Sequence, residues 1–148
     1  MLIPARKLEI IHEHARRTFP EECCGLLAGR VEYGNDGHCE NTIYEVAPCQ
    51  NVLSWNRQEG FEISTYEYRD IESEARNLGY QIIGAYHSHT NAEAVPSNQD
   101  LEHAIPNHSV LIVSVRQKTI LQTRAWIRGE RASFSEERVF IPRLSIRY

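Results

Sequence analysis

The feature that most constrains this chain is an apolar segment that ends in two histidines separated by one residue. Residues 81–87, QIIGAYH, have the length and apolar content of a buried strand, and His89 follows His87 by two positions. Residues two apart in a strand point to the same face of the sheet. The pattern therefore predicts that His87 and His89 reach one cleft at the strand end, while Ser88 faces the other side.

Two imidazoles on one face can share a metal ion, which predicts a third ligand from another part of the chain. Asp100 is close enough to the histidines in sequence to fold back toward them. Two histidines and one carboxylate leave a fourth tetrahedral position open, which is typical of a catalytic zinc site rather than a closed structural one. The same ligand set also accepts other divalent ions.

An ordinary structural role also fits residues 97–100, SNQD. Ser97 and Asp100 have the spacing of a capping box, in which the N-cap and N3 residues bond to each other's backbone. Aspartate at N3 is a slight departure from the usual Glu or Gln. Taken alone, SNQD favours a plain helix cap, and a lone His-x-His pair is a weak indication of a metal site.

The combined spacing is more specific. His-x-His, seven residues, Ser, two residues and Asp resembles the motif of the JAMM (MPN+) metalloprotease family. Residues 19–29, FPEECCGLLAG, resemble the family's remaining element, a glutamate on a strand leading into small and apolar residues. Adjacent strand residues face opposite sides, so only one of Glu21 and Glu22 can face the site, and the family pattern selects Glu22. Thr90 is a departure, because many members have proline after the second histidine.

The resemblance implies a role for each matching position. His87, His89 and Asp100 would bind Zn²⁺. Glu22 would hold the attacking water as a general base and then pass the proton to the leaving amine. Ser97 would hydrogen-bond the developing oxyanion. The loop 90–96 would border the substrate.

Strand and helix patterns alternate along the chain and indicate an α/β or α+β domain around one sheet. The resemblance implies a mixed β-sheet flanked by helices, similar to the cytidine-deaminase architecture, in a single domain of residues 1–148. Asp36-Gly37 predicts a hairpin turn, and residues 48–63 are predicted to be irregular. Periodicity predicts helices at 4–18, 64–78 and 97–104, and strands at 23–31, 42–47, 81–87, 109–115, 119–127 and 133–141.

Charge and cysteine content exclude several classes of protein. The net charge is −4, without the basic stripe or polybasic patch that nucleic acid or a membrane surface would require. The sequence contains neither an apolar run of membrane-spanning length nor a signal-peptide pattern, so the expected location is cytoplasmic. The four cysteines lack the spacing of a disulfide framework, and Cys23 and Cys24 are expected to be buried free thiols.

The remaining histidines and aromatic residues receive ordinary interpretations. His103 and His108 lie near Asp100 in sequence but are not expected to bind the catalytic metal. Trp55, Phe61 and Trp126 are expected to pack rather than to stack on substrate. The segment that contains Trp55 and Asn51 could nevertheless line a groove for an extended peptide.

The chain is short and lacks long insertions, so it looks more like the small stand-alone bacterial and archaeal family members. The resemblance therefore implies hydrolysis of an amide after the C-terminal glycine of a ubiquitin-like sulfur-carrier protein, either releasing cysteine or trimming to Gly-Gly. Alternatives are a non-catalytic MPN scaffold, a deubiquitinase-like isopeptidase acting on other ubiquitin-like conjugates, and a zinc hydrolase of a small amide or nucleobase. The deaminase signature HxE with PCxxC is missing, which argues against the last of these.

Overall fold

A six-stranded mixed sheet with helices on both faces forms the core of the protein in the computed structural model, which describes residues 1–33, 36–129, 131 and 133–142. The strand order is β2-β1-β3-β4-β5-β6, and among these pairs only β3 and β4 run parallel. The elements in chain order are α1 (Ala5–Thr18), β1 (Cys24–Tyr33), β2 (Cys39–Cys49), α2 (Thr65–Asn77), β3 (Gln81–Thr90), α3 (Asn98–His103), β4 (Ser109–Arg116), β5 (Thr119–Arg128) and β6 (Phe134–Glu137).

The alternation of side chains along the central strands separates two apolar layers. Leu27 of β1 is buried in the layer under α1, where Ile11 also lies. The preceding residue of β1, Leu26, is buried on the opposite face of the sheet, in the layer that contains Ala75 of α2. A strand that is apolar on both faces must be covered on both. The central strands are therefore held rigidly between helices.

The connection from β3 to β4 positions the candidate site. Parallel neighbours cannot be joined by a tight turn and require a longer crossover. Here the crossover runs through residues 91–108 and contains α3. It returns the chain over the end of β3 that carries His87 and His89, and so brings Asp100 of α3 to the same end of the sheet.

The structure confirms the predicted class and moves several predicted boundaries. β3 continues to Thr90, beyond the predicted end at His87. β2 extends to Cys49, so Pro48 and Cys49, predicted to be irregular, belong to a strand. β2 is an edge strand of the six-stranded sheet, where a proline is tolerated because no further strand needs its missing N–H.

Both predicted hairpins pair as expected, whereas the last strand is shorter than predicted. β1 and β2 pair as predicted around the Asp36-Gly37 turn, although positions 34 and 35 are outside the described residues. β4 and β5 form the predicted hairpin, with φ of +47° at Gln117 and +64° at Lys118. Only Phe134–Glu137 of the predicted last strand 133–141 is a strand, so that prediction was too long.

Burial of Cys23 and Cys24 as free thiols is confirmed. In the described part of the chain, no helix has both the length and the apolar character needed to cross a membrane.

Candidate metal centre and cleft

Three side chains, those of His87, His89 and Asp100, converge at the end of β3 and are hereafter called the cluster. His87 Nε2 lies 3.2 Å from His89 Nε2 and 3.2 Å from Asp100 Oδ1, and Asp100 Oδ2 lies 3.3 Å from His89 Nε2. Ligand atoms around a tetrahedral zinc at its usual bond lengths are separated by about 3.3 Å. The three donors therefore already stand at the mutual spacing that such an ion requires.

The histidine rings are held by different contacts. The Nδ1–H of His89 donates to the backbone carbonyl of Glu93 at 2.7 Å, which directs Nε2 toward His87 and Asp100. The ring of His87 is buried and stacks on Phe61 with 4.7 Å between centroids. Within the described residues, His87 Nδ1 has no hydrogen-bond partner. Packing, rather than a hydrogen bond at Nδ1, thus orients His87.

Asp100 belongs to the cap of α3 and to the cluster at once. Asp100 N–H donates to Ser97 Oγ at 3.1 Å, and Ser97 N–H donates to Asp100 Oδ2 at 2.8 Å, which confirms the predicted capping box. The helix-cap interpretation and the metal-site interpretation are therefore compatible. The cap fixes the carboxylate while Asp100 Oδ1 remains directed at His87.

Glu22 lies two residues before β1 and is only 5% exposed. One of its carboxylate oxygens lies within 4.8 Å of a ring nitrogen of each histidine, so Glu22, His87 and His89 form a group of described residues that could hold a metal. The backbone N–H of Glu22 donates to the carbonyl of Arg57 at 2.8 Å. Glu21 instead forms an ion pair with the Arg57 side chain at 3.0 Å. Of the two glutamates, Glu22 faces the cluster, as the family pattern selects.

Two of the three converging side chains have the protonation state that a metal requires. Burial favours the neutral form of Asp100, but hydrogen bonds from His87 and His89 outweigh burial and hold its pKa far below the usual range. Burial lowers the pKa of His87, which keeps that imidazole neutral. Burial also acts to lower the pKa of His89, but hydrogen bonds with Asp100 and the Glu93 carbonyl outweigh it and raise that pKa, so a metal ion would displace a proton from this ring.

Glu22 behaves differently from Asp100. Burial is the main cause that raises its pKa to about 8, with Asp100 and Glu59 adding to the shift and His89 opposing it. A glutamate that titrates near neutral pH can both accept and return a proton. The environment of Glu22 therefore suits a group that moves protons.

The raised pKa of Glu22 predicts a pH-dependent stability of the metal-free protein. The unfolded chain releases this proton near pH 4.5, whereas the folded protein keeps it until about pH 8. The folded state thus binds more protons in that window, and the free energy of unfolding should fall as pH rises. Glu22→Gln cannot titrate at this position. Relative to this variant, the free energy of unfolding of wild type should fall by at most about 1.4 kcal/mol per pH unit.

Urea denaturation in the presence of a chelator, repeated between pH 4.5 and 8, measures this difference. Glu21→Gln is the matched control, because Glu21 lies outside the cluster and pairs with Arg57. If wild type and Glu22→Gln had parallel pH profiles, the pKa of Glu22 would not be raised by folding.

Asn51 organises the irregular segment between β2 and α2, hereafter the 50–63 segment. Its Nδ2 donates to the carbonyls of Glu22 and Gly60, both at 3.0 Å. Its Oδ1 accepts the N–H groups of Leu53 at 3.1 Å and Glu62 at 3.2 Å. The suggestion that Asn51 lines a peptide groove is replaced by a structural role, because the amide is occupied in tying this segment to Glu22.

The loop after β3 is also held by side chains. Trp126 Nε1–H donates to the carbonyl of Ala94 at 3.0 Å, and the hydroxyl of Ser114 donates to the carbonyl of Ala92. The hydroxyl of Thr90, at the position where many relatives have proline, donates to the carbonyl of Gln58 at 2.9 Å. Thr90 thus joins the end of β3 to the 50–63 segment, a contact that proline could not make.

The aromatic predictions are partly confirmed. Phe61 packs on His87, and Trp126 is half-buried, as expected. Trp55 was expected to pack, but its side chain is 79% exposed, so that prediction was wrong. The composition of residues 50–63 gives no signal for this difference, since it depends on the path of an irregular segment.

A cleft of about 1060 Å³ contains the cluster. The 50–63 segment forms one wall, and α3 with the residues that follow it forms the other. Glu22 and Ser97 line this cleft together with the three converging side chains. His103 and His108 also line it but are not members of the group of described residues that could hold a metal. Glu59 is a cleft residue that the sequence motifs did not indicate.

The fold occurs in solved structures. A protein from Desulfitobacterium hafniense is 26% identical, with a TM-score of 0.76 over 95% of this chain and 92% of the other. A JAB1/MPN domain protein from Archaeoglobus fulgidus has a TM-score of 0.55 at 18% identity, over 93% of this chain and 94% of the other. These likenesses confirm the fold expected from the resemblance.

The family described as prokaryotic homologs of the JAB domain matches residues 4–128, and the chain belongs to this family. The chain is 28% identical over 120 residues to a desampylase of Pyrococcus furiosus, covering 81% of this chain and 76% of the relative. It is 30% identical over 120 residues to a CysO-cysteine peptidase of Mycobacterium tuberculosis, covering 78% and 74%. The chain is a JAMM-type hydrolase.

Proposed function

We propose that this protein is a zinc-dependent peptidase that hydrolyses the amide after the C-terminal glycine of a ubiquitin-like sulfur-carrier protein. The reaction releases cysteine or trims the carrier to a terminal Gly-Gly. The observation that carries the proposal is the convergence of His87, His89 and Asp100 at separations of 3.2–3.3 Å, beside the buried carboxyl group of Glu22.

His87, His89 and Asp100 would hold the zinc ion. Their spacing, the orientation of His89 by the Glu93 carbonyl and the ionised state of Asp100 all fit this role. When bound, zinc polarises the scissile carbonyl and lowers the pKa of water to about 7. The cleft around the cluster leaves room for a peptide to approach.

Glu22 takes a proton from the attacking water and returns it to the amine that leaves. Its pKa is raised to about 8 without metal, and a bound cation would lower it, so the carboxyl group would be ready to accept a proton near neutral pH. The backbone hydrogen bonds to Arg57 and Asn51 fix the chain at Glu22. The side chain can therefore stay in position while its proton moves.

Ser97 stabilises the developing oxyanion. Its oxygen accepts the Asp100 N–H in the helix cap, so its own hydroxyl proton is free to donate into the cleft. A donor of this kind contributes up to about 3 kcal/mol to transition-state stabilisation in other oxyanion holes.

A protein tail as substrate is supported by the shape of the cleft and by the relatives. An extended, glycine-terminated tail has little side chain and fits a groove between two walls. One relative is named a desampylase and another a CysO-cysteine peptidase. The second name supports cysteine as a released residue, and both support a small protein as the partner.

The test uses a panel of ubiquitin-like carriers that bear cysteine, a short peptide or an isopeptide-linked lysine after the terminal Gly-Gly. We expect cleavage of at least one adduct at that bond, with loss of activity after treatment with a chelator and recovery with zinc. Mass spectrometry of the products gives the cleaved bond. Cleavage of a free small amide with none of any carrier would contradict the proposal, and a zinc-loaded protein inactive on every adduct would favour a scaffold.

A further inference from the structure

Two carboxylates on the wall of the cleft have no cation of their own. Glu59 and Glu62 line the cleft, and within the described ranges neither of them forms an ion pair. Glu59 accepts one hydrogen bond, from Asn56 Nδ2 at 2.9 Å. Glu21 and Glu136, in contrast, lie within 3.0 Å of an arginine. The chain thus leaves negative charge uncompensated at this wall.

The indole of Trp55 lies on the same wall and likewise has no cationic partner among the described residues. Trp55 is 79% exposed, and no arginine or lysine of the described residues covers its ring. Arg124, in contrast, lies 4.8 Å over the ring of Trp126. A turn in which the Glu59 N–H donates to the Asn56 carbonyl at 3.1 Å keeps Trp55 and Glu59 close along the segment. An exposed aromatic face and unpaired carboxylates on one cleft wall are the groups to which a guanidinium or ammonium group binds.

The free charge of the cleft wall is negative. The acidic lining residues are Glu22, Glu59, Glu62 and Asp100, and no lysine or arginine in the described part of the chain lines the cleft. Asp100 would face the bound zinc and burial keeps Glu22 largely protonated in the absence of metal, so Glu59 and Glu62 supply the negative charge that a tail meets. An acidic tail would therefore be repelled, and a basic one attracted. By charge complementarity, the group that binds this wall is a cationic side chain.

The cleft narrows at Gly60. A Cβ atom on Gly60 would lie 3.1 Å from Leu53 Cδ2 and 3.4 Å from Gln99 Oε1, so the 50–63 segment and α3 approach each other there. A residue of the tail that crosses this point must have little side chain, as glycine has. The docked cationic residue therefore belongs to another position of the tail.

We propose that Trp55, Glu59 and Glu62 form a docking site for an arginine or lysine in the extended C-terminal tail of the substrate protein, upstream of its terminal glycines. The inference rests on the proposed function and specifies the sequence of the tail. Trp55 stacks on the cation or its alkyl chain, while the two carboxylates supply the countercharge.

The test measures binding of synthetic tail peptides that end in two glycines and carry arginine, alanine or glutamate at each upstream position in turn. Calorimetry on zinc-loaded Glu22→Gln protein avoids turnover during the titration. We expect an arginine at one position to bind about tenfold more tightly than alanine, because a cation–π contact and an ion pair act together. Glutamate should bind more weakly than alanine, and the preference for arginine should shrink in high salt.

Variants in the same Glu22→Gln background assign the preference to this wall. Glu59→Gln/Glu62→Gln should reduce the arginine preference to less than about twofold, and Trp55→Ala should reduce it in part. Asp70→Asn/Glu74→Gln is the matched control, because it removes the same charge from exposed residues of α2 outside the cleft and should keep the tenfold preference. Tyr66→Ala, at another exposed aromatic residue, is the control for Trp55.

The failures of the two proposals are distinguishable. Equal binding of the arginine and alanine peptides, or a preference that survives Glu59→Gln/Glu62→Gln, would overturn the docking site even if the enzyme cleaves carriers. An arginine preference that disappears in Glu59→Gln/Glu62→Gln but not in the control would support the docking site, even if wild type cleaved no carrier and the proposed function failed.

Discussion

Replacing Glu22 with glutamine is expected to abolish hydrolysis while leaving metal binding intact. Glutamine has nearly the same shape as glutamate but cannot accept the proton of the attacking water. General acid–base catalysis contributes about 10²–10⁴-fold, and kcat should fall by that factor. Glu22 lies outside the set of three residues, His87, His89 and Asp100, whose donor atoms are 3.2–3.3 Å apart, so the zinc content should not change.

The measurement is single-turnover hydrolysis of a carrier adduct, together with the zinc content of the same preparation. Glu21→Gln is the matched control: it removes an adjacent carboxylate that faces Arg57 instead of the cluster, and its activity should stay within a few-fold of wild type. Full activity of Glu22→Gln would show that another group moves the proton. Loss of both activity and zinc would instead make Glu22 a metal ligand.

The sequence predicts the centre of this molecule well because its chemistry is local. His87 and His89 are two residues apart on a buried strand, and Ser97 and Asp100 are one helical turn apart. Strand and helix periodicity alone therefore determines which of these side chains share a face. The sequence predicted only that Asp100 could fold back to the histidines; the crossover that brings it there follows from the parallel pairing of β3 and β4, which the structure shows.

The walls of the cleft could not be predicted in the same way. The 50–63 segment has no periodicity, and its path depends on contacts between distant parts of the chain, such as Asn51 with Glu22 and Thr90 with Gln58. Neither contact has a sequence signature. The exposure of Trp55 and the position of Glu59 follow from that path, which is why one was predicted wrongly and the other was not predicted.

Replacing both cluster histidines with alanine should remove the metal altogether. With His87 and His89 absent, Asp100 alone remains of the three converging donors, and a single carboxylate does not hold zinc at micromolar concentrations. Wild type should contain about one zinc per chain after purification without added metal, whereas His87→Ala/His89→Ala should contain none. Hydrolysis of every adduct should fall to the background rate.

The control for this variant lies in the same cleft. His103→Ala/His108→Ala removes two other histidines that line the cleft but do not belong to the cluster, and it should keep its zinc. Because His87 is buried against Phe61, circular dichroism must first show that the cluster variant is folded.

In wild type, zinc should also raise the thermal midpoint, since a ligand that binds only the folded state stabilises it, and the cluster variant should show no such rise. Zinc retained by a folded His87→Ala/His89→Ala protein would place the metal elsewhere in the cleft, and the loss of zinc from His103→Ala/His108→Ala would identify where.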